Sequence, residues 1–177
     1  MNKPPPEVWL RGPVPDVPAF LQPVAHSLLQ CREELTARLS GLTAEQIWTN
    51  PSGAASIGFH ARHAAGSLDR LFTYARGEQL SPDQRAAFAA EGQPDPAPDT
   101  AARLVAEFDA AVARALEQLK NTDVGALLDA RGVGRAQLPS TVIGLLFHAA
   151  EHTQRHAGQV VTTAKLVAGP QRDDSWR

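Results

Sequence analysis

The stretch TVIGLLFHAAEHTQRHAGQVVTTAKLVA, residues 141–168, decides the fold. It contains no proline, and it lies between Pro139 and the Gly169-Pro170 pair. Apolar and small residues recur in it every three or four positions, as they do on the buried face of an amphipathic helix. This predicted inward face is formed by Val142, Leu145, Ala149, His152, His156, Val160, Thr163 and Val167. We therefore predict a long helix over residues 141–168.

Three of the six histidines lie in this helix at successive i, i+4 spacings, at His148, His152 and His156. Neighbours at this spacing are about 40° apart round the helix and one turn apart along it, so two imidazoles can reach one metal ion. His152 and His156 lie on the predicted inward face, and His148 lies at its edge. Because an imidazole buried without a partner costs free energy, the inward pair needs a metal ion, a hydrogen bond or water. We interpret the pair as part of a metal site.

Three other segments carry the same periodicity and are predicted to be long helices, over residues 18–40, 55–76 and 100–120. Glycines follow two of them, at Gly41 and Gly77, as is common after the C-terminus of a helix. Together with the histidine-containing helix, these segments predict an all-α four-helix bundle. In such bundles, metal sites are built from side chains on facing helices.

The connections between the helices differ in length and content. Short extra helices are expected over residues 43–48 and 82–90, and residues 121–138 are expected to form a loop with a short turn of its own. The first 18 residues contain six prolines, so residues 1–17 are predicted to be an extended arm, while residues 171–177 form a polar tail. No segment alternates with a period of two, so no sheet of consequence is expected.

Length and composition limit the classes of protein that the chain can represent. The 177 residues suit a single domain, residues 1–177, and the net charge of −2 includes no basic run that would favour a nucleic-acid partner. No apolar run approaches the roughly 20 residues of a membrane-spanning helix, so no membrane partner is expected. The single cysteine, Cys31, cannot form an internal disulfide and suits a reducing compartment. We expect a soluble, cytoplasmic protein.

A third metal ligand is expected from a facing helix, because metal sites in enzymes use three protein ligands and leave one position open. The predicted helix over residues 55–76 contains His60 and His63. Its periodicity places His60 at the edge of the apolar face and His63 further round, and so slightly favours His60 as the ligand. Spacing alone leaves this choice open.

Two segments of the sequence resemble the DinB-like, or DinB/YfiT, family of metal-binding four-helix proteins. These are ARHAAGSLDRL at residues 61–71 and HTQRHAGQ at residues 152–159, and a looser resemblance covers residues 18–168. In that family, one histidine of the second helix and two histidines four apart on the last helix bind a divalent metal ion. The resemblance therefore implies the ligands His63, His152 and His156, and it outweighs the small angular preference for His60.

The resemblance also implies an activity. The family includes enzymes similar to thiol S-transferases that use bacillithiol, mycothiol or glutathione-type thiols, so a low-molecular-weight thiol and a small electrophile are expected partners. A homodimer is implied as well. The implied cofactor is one divalent ion, zinc or nickel, with iron or copper as alternatives, because three-imidazole sites accept all of these. The alternatives to transfer are a hydrolase that activates water at the metal and a non-catalytic, stress-linked metal-binding protein.

Other side chains are candidates for catalysis or for a substrate pocket. His26, His60 and His148 are candidate general bases, although the sequence assigns no pairing among them. Tyr74 is a candidate pocket residue because it shares a polar strip with the two histidines of its helix, and Gln159 is another because it lies one turn beyond the last histidine.

Overall fold

The computed structural model of the chain describes residues 5–168. In this part of the chain the α-helices are α1 (Gln22–Leu39), α2 (Ala44–Trp48), α3 (Ile57–Ala75), α4 (Pro82–Ala90), α5 (Thr100–Lys120) and α6 (Val142–Val167). The strands are β1 (Ala130–Val133) and β2 (Leu138–Thr141). Single 3-10 turns lie at Val8–Leu10, Ala19–Leu21, Pro51–Gly53 and Val124–Ala126.

The four long helices α1, α3, α5 and α6 form a bundle, which confirms the predicted all-α fold. Helices α1 and α3 each pack against both α5 and α6, so the four helices form a ring round one core. Apolar residues at helical spacing fill this core. Among its largest fully buried side chains are Leu28, Leu35, Leu68, Phe108, Leu119 and Leu146. Burial of such side chains stabilises the fold by roughly 1.5–3 kcal/mol each relative to exposure.

The helix ends follow from local side-chain chemistry. Ser56 and Thr141 cap α3 and α6, each accepting a hydrogen bond from the backbone N–H three residues on. Ser81 and Gln84 form a capping box at the start of α4, with Pro82 in its first turn. The short helices predicted in the connections are therefore present, and their starts lie where the capping residues stand.

The predicted first helix begins later than expected. Residues Ala19–Leu21 form a 3-10 turn, and α1 starts at Gln22 with Pro23 in its first turn. A proline is tolerated there because the first backbone N–H groups of a helix have no partner within the helix. The periodicity of the apolar residues continues through the 3-10 turn. The sequence alone therefore does not separate this turn from α1.

The connection before α6 was predicted to be a loop, and this is wrong for its second half. β1 pairs antiparallel with β2, so that Gly132 faces Pro139 and Ala130 faces Thr141. Neither strand alternates polar and apolar residues. Each is half-exposed rather than buried on one face, so no period-two pattern was present to detect. A proline is acceptable in β2 because one side of a two-stranded ribbon is an edge.

Residues 1–4 of the predicted arm and all of the predicted tail at 171–177 lie outside the described residues. The rest of the arm lies against the bundle, with Val8 and Val17 buried. The side chain of Gln22 holds it by a hydrogen bond from the backbone N–H of Val14 and by two to backbone oxygens. Among the helices of residues 5–168, none has the combined length and apolar character needed to span a bilayer.

Candidate metal centre

The candidate site lies between α3 and α6, which form the most extensive helix contact of the bundle. Buried small residues on both helices permit the two backbones to approach closely. They include Ala61, Ala64, Ala149 and Ala157, all of them buried. Small side chains at the interface leave room for longer ones between the helices. The imidazoles of His63 on α3 and of His152 and His156 on α6 occupy that space.

The three histidines meet at one point. One ring nitrogen from each of His63, His152 and His156 lies within 4.8 Å of the other two, and His63 Nε2 is 3.0 Å from His152 Nε2. Nitrogens bound to a common ion at about 2.0–2.1 Å lie about 3–3.5 Å apart in tetrahedral or octahedral geometry. His156 is buried and the other two are half-buried. The structure therefore brings together the three residues that the resemblance implied as ligands.

Glu91, at the C-terminal end of α4, holds the ring of His63. Glu91 Oε2 lies 2.7 Å from His63 Nδ1, and Glu91 Oε1 accepts a hydrogen bond of 2.6 Å from Arg70. Burial alone would raise the pKa of Glu91, but hydrogen bonds from His63 and Arg70 outweigh it and lower that pKa. Because the carboxylate accepts a hydrogen bond from Nδ1–H of His63, the lone pair of that ring is on Nε2, which lies 3.0 Å from Nε2 of His152.

His60 holds the second ring, that of His156. Their Nδ1 atoms lie 3.0 Å apart, and both side chains are buried. At this distance one nitrogen carries the hydrogen and the other accepts it. If Nδ1 of His156 donates, its Nε2 keeps a lone pair. His60 therefore contacts a ligand candidate and is not a member of the three-nitrogen cluster.

The environment of His60, His152 and His156 favours their neutral form. Burial and the neighbouring His63 lower the pKa of His60, and burial together with nearby cations lowers that of His152. For His156, burial and the surrounding histidines lower the pKa to about 4. Neutral imidazole is the form that binds metal. Nδ1 of His152 is also buried without a hydrogen-bond partner among the described residues. The donor set therefore fits a divalent transition-metal ion.

The remaining candidate histidines lie outside the cluster. His148 is exposed, with Nδ1 3.4 Å from a carboxylate oxygen of Glu151, and its ring centroid is 5.4 Å from that of His152. His26 Nε2 lies 3.0 Å from the backbone oxygen of Gly12 in the arm. It therefore faces the arm rather than the α3–α6 contact. Neither residue touches the three clustered nitrogens.

The two candidate pocket residues are also apart from the cluster. Tyr74 follows His63 by eleven residues on α3, which separates them by about 16 Å along the helix axis. Gln159 is exposed on α6. Their assignment to a substrate pocket stays a prediction.

Glu91 is the residue that the sequence analysis missed. Its segment, residues 91–99, contains three prolines and lies between the helices predicted over residues 82–90 and 100–120, with no periodic pattern to place one side chain inward. The helix start at Ser81-Pro82 predicts α4, but it does not predict how α4 docks. An isolated glutamate in a connection is usually exposed, so only the fold could identify this one.

Comparisons with known proteins agree with this architecture. A family model described as the DinB superfamily matches residues 27–160. A conserved protein from Enterococcus faecalis, known from a crystal structure, is 22% identical, with a TM-score of 0.66. The alignment covers 85% of this chain and 98% of that one, and at such low identity the likeness shows the fold alone. A comparison with curated proteins found no match.

Proposed function

Because the chain belongs to the DinB superfamily, we propose that it binds one divalent metal ion through His63, His152 and His156 and acts as a metal-dependent thiol S-transferase. The observation that carries the proposal is the meeting of three ring nitrogens within 4.8 Å. Three histidines, two of which also contact Glu91 and His60 at hydrogen-bond distance, form a prepared ligand set rather than a chance contact.

An open coordination position is expected in this site. Within residues 5–168, only the three histidines His63, His152 and His156 supply ligand atoms at this point. Catalytic sites with three protein ligands keep a fourth position for an exchangeable group, whereas structural zinc sites use four. This favours an enzyme over a non-catalytic metal-binding protein.

The neighbouring side chains favour a thiol over water as the exchangeable group. Metal-dependent hydrolases commonly add a general base beside the metal-bound water, as the glutamate of HExxH sites does. In the described part of the chain, the side chains outside the cluster that hydrogen-bond to the ligand candidates are His60 and Glu91, and each is engaged in holding a ring. His148, whose ring lies near that of His152, is exposed and faces the carboxylate of Glu151. A thiol needs no such base, because a bound divalent ion lowers its pKa enough to keep it as thiolate.

The thiol would have to come from a separate molecule. Cys31 is the only cysteine of the chain, and it is fully buried. Burial raises the pKa of its thiol to about 12, so it is protonated at neutral pH. A low-molecular-weight thiol is therefore the proposed nucleophile, and a small electrophile is the proposed second substrate.

The protein groups have separate tasks in this scheme. His63, His152 and His156 hold the ion, and Glu91 and His60 fix two of these rings. Phe59 stacks on His63, with centroids 5.4 Å apart and an interplanar angle of 15°, and shields one side of that ring. Zinc or nickel is the proposed ion, with iron or copper as alternatives. A cytoplasmic homodimer remains part of the proposal.

The test combines metal analysis with a conjugation assay. The purified protein should contain one divalent ion per chain, and a chelator should remove it together with any thiol-conjugating activity. The assay offers bacillithiol, mycothiol and glutathione in turn with an electrophile such as chlorodinitrobenzene. A protein without stoichiometric metal would contradict the site. A metal-loaded protein that conjugates none of these thiols but hydrolyses esters or amides would favour the hydrolase instead.

A further inference from the structure

We propose that Glu91 is a positioning residue of the metal centre, and that Gly66 exists to give its carboxylate room. In this arrangement Glu91 fixes the tautomer of His63, and Arg70 fixes Glu91. The inference rests on the proposed metal site, and it assigns tasks to three residues that are not ligands.

The Glu91 carboxylate is isolated from solvent and fully paired. Glu91 is only 5% exposed, and its two oxygens contact different partners, His63 Nδ1 at 2.7 Å and Arg70 Nη1 at 2.6 Å. A buried carboxylate is costly unless it is paired and hydrogen-bonded. Arg70 is itself held in place, because its guanidinium lies 4.3 Å from the ring centroid of Phe88 on α4.

A glycine, Gly66, lies beneath the carboxylate. His63, Gly66 and Arg70 lie at positions i, i+3 and i+7 of α3, on one face of the helix. A Cβ atom at position 66 would lie 2.5 Å from Glu91 Oε1 and 2.7 Å from Arg70 Nη1. Any residue other than glycine would therefore force the ends of the Glu91 and Arg70 side chains to shift. Glycine inside a helix costs about 1 kcal/mol relative to alanine, so it needs a reason to be there, and this space supplies one.

The Glu91 carboxylate sets the hydrogen position on the ring of His63. A carboxylate that accepts from Nδ1–H keeps the lone pair on Nε2, which faces His152. Such a carboxylate also makes the ring a stronger ligand, and loss of a partner of this kind typically reduces metal affinity about 10–100-fold. Glu91 thereby connects α4, which supplies no ligand, to the ligand set between α3 and α6.

The first experiment measures zinc affinity by competition with a chromophoric chelator. Glu91→Gln keeps the shape of the side chain and removes its charge. Gly66→Ala removes no polar group and only fills the space beneath the carboxylate. Both variants should still bind one zinc ion. The affinity of Glu91→Gln should be about 10–100-fold weaker than that of wild type, and the affinity of Gly66→Ala should be weaker by a smaller factor. The matched control is Gly158→Ala on α6, because a Cβ atom there meets nothing within 4 Å.

The second experiment determines the tautomer of His63 from its imidazole ¹⁵N shifts in the metal-free protein. Wild type and Gly158→Ala should show the hydrogen on Nδ1. In Glu91→Gln, Arg70 should donate its hydrogen bond to the amide oxygen, so that the NH₂ group of the amide faces His63 Nδ1. That nitrogen must then accept, so the hydrogen should move to Nε2. A purely structural role for Glu91 would leave the tautomer unchanged.

These outcomes separate the inference from the proposed function. If wild type binds zinc and both variants bind it equally well, the positioning role is wrong and the metal site stands. If wild type binds no metal, the proposed function fails, and the tautomer measurement still decides whether Glu91 orients His63. An unchanged tautomer in Glu91→Gln would overturn the inference in either case.

Discussion

At the scale of single residues, the structure distinguishes His60 from His63. The sequence placed both on one side of a helix, and helical periodicity slightly favoured His60. In the structure His63 contributes to the three-nitrogen cluster, whereas His60 contacts His156 from outside it. The phase of a helical wheel is uncertain by about one residue, or 100°, so it could not distinguish two positions only 60° apart.

The variants of these residues should differ in metal content. His63→Ala, His152→Ala and His156→Ala should each purify with little or no metal, because each removes a coordination bond. His60→Ala should keep one ion with an affinity about 10–100-fold weaker, because it removes only a partner of His156. Elemental analysis and a chelator competition measure both quantities.

The control for this series is His26→Ala, since His26 contacts the arm at Gly12 and not the cluster. It should retain full metal content. If His60→Ala lost its metal and His63→Ala kept it, the ligand assignment on α3 would be reversed. The proposed thiol chemistry, which rests on the same assignment, would then lose its support.

A pH dependence of stability follows from His156. Its pKa is lowered from 6.5 to about 4 in the folded protein, so the unfolded chain binds a proton between these values that the folded one does not. The free energy of unfolding of the metal-free protein should therefore be highest above about pH 6.5 and should decrease as the pH falls towards 4. The loss is at most roughly 3 kcal/mol, at 1.36 kcal/mol per pKa unit.

Urea unfolding of the metal-free protein at pH 7, 6 and 5 measures this effect. The midpoint should fall with pH in wild type, and it should fall less steeply in His156→Gln, which lacks the titrating ring. Equal slopes for the two proteins would show that His156 does not titrate as its burial indicates.

At the scale of secondary-structure elements, the sequence was most informative where apolar residues recur over several turns. The long helices α1, α3, α5 and α6 were predicted because each buries one face against the same core. The β1–β2 hairpin was not, because its strands bury neither face fully and so leave no periodic pattern. The docking of α4 could not be predicted either, because it depends on side chains of α3.

Helix α4 should be the least protected of the helices of eight or more residues. None of its residues is buried, and it is held by hydrogen bonds from Gln84 to Asp69 and Thr73 on α3 and by the partners of Glu91. Its backbone amides should exchange with solvent faster than those of α3 and α6, because few apolar contacts oppose its opening. Hydrogen exchange followed by mass spectrometry measures this difference.

Metal should slow exchange at the end of α4 in particular. A metal ion bound to Nε2 of His63 makes the Nδ1–H group of that ring a stronger hydrogen-bond donor. The hydrogen bond from this group to Glu91 therefore becomes stronger. Protection of the last turn of α4 should therefore increase with zinc in wild type, and should increase less in Glu91→Gln. Equal protection in the two proteins would show that α4 is not coupled to the site.

At the scale of the whole molecule, the candidate site depends on helices far apart in the sequence. His63 and His152 are 89 positions apart, yet their Nε2 atoms lie 3.0 Å from one another. The family resemblance identified both residues, but it did not identify Glu91, which completes the arrangement. A sequence motif identifies residues within one segment of the chain. The hydrogen-bond partner of a metal ligand can lie in any other segment that packs nearby.

A metal ion held by α3 and α6 should stabilise the entire fold, because it would link the two helices that share the largest contact. An ion that binds only the folded state adds about 2.7 kcal/mol at a free concentration of 100 times its Kd. For a domain of this size, that corresponds to an increase in Tm of about 5–11 °C. Zinc should raise the Tm of wild type and of Gly158→Ala by this amount, and a chelator should reverse it. His156→Ala should show no increase, since it lacks a ligand from α6. An equal increase in His156→Ala would place the stabilising ion elsewhere.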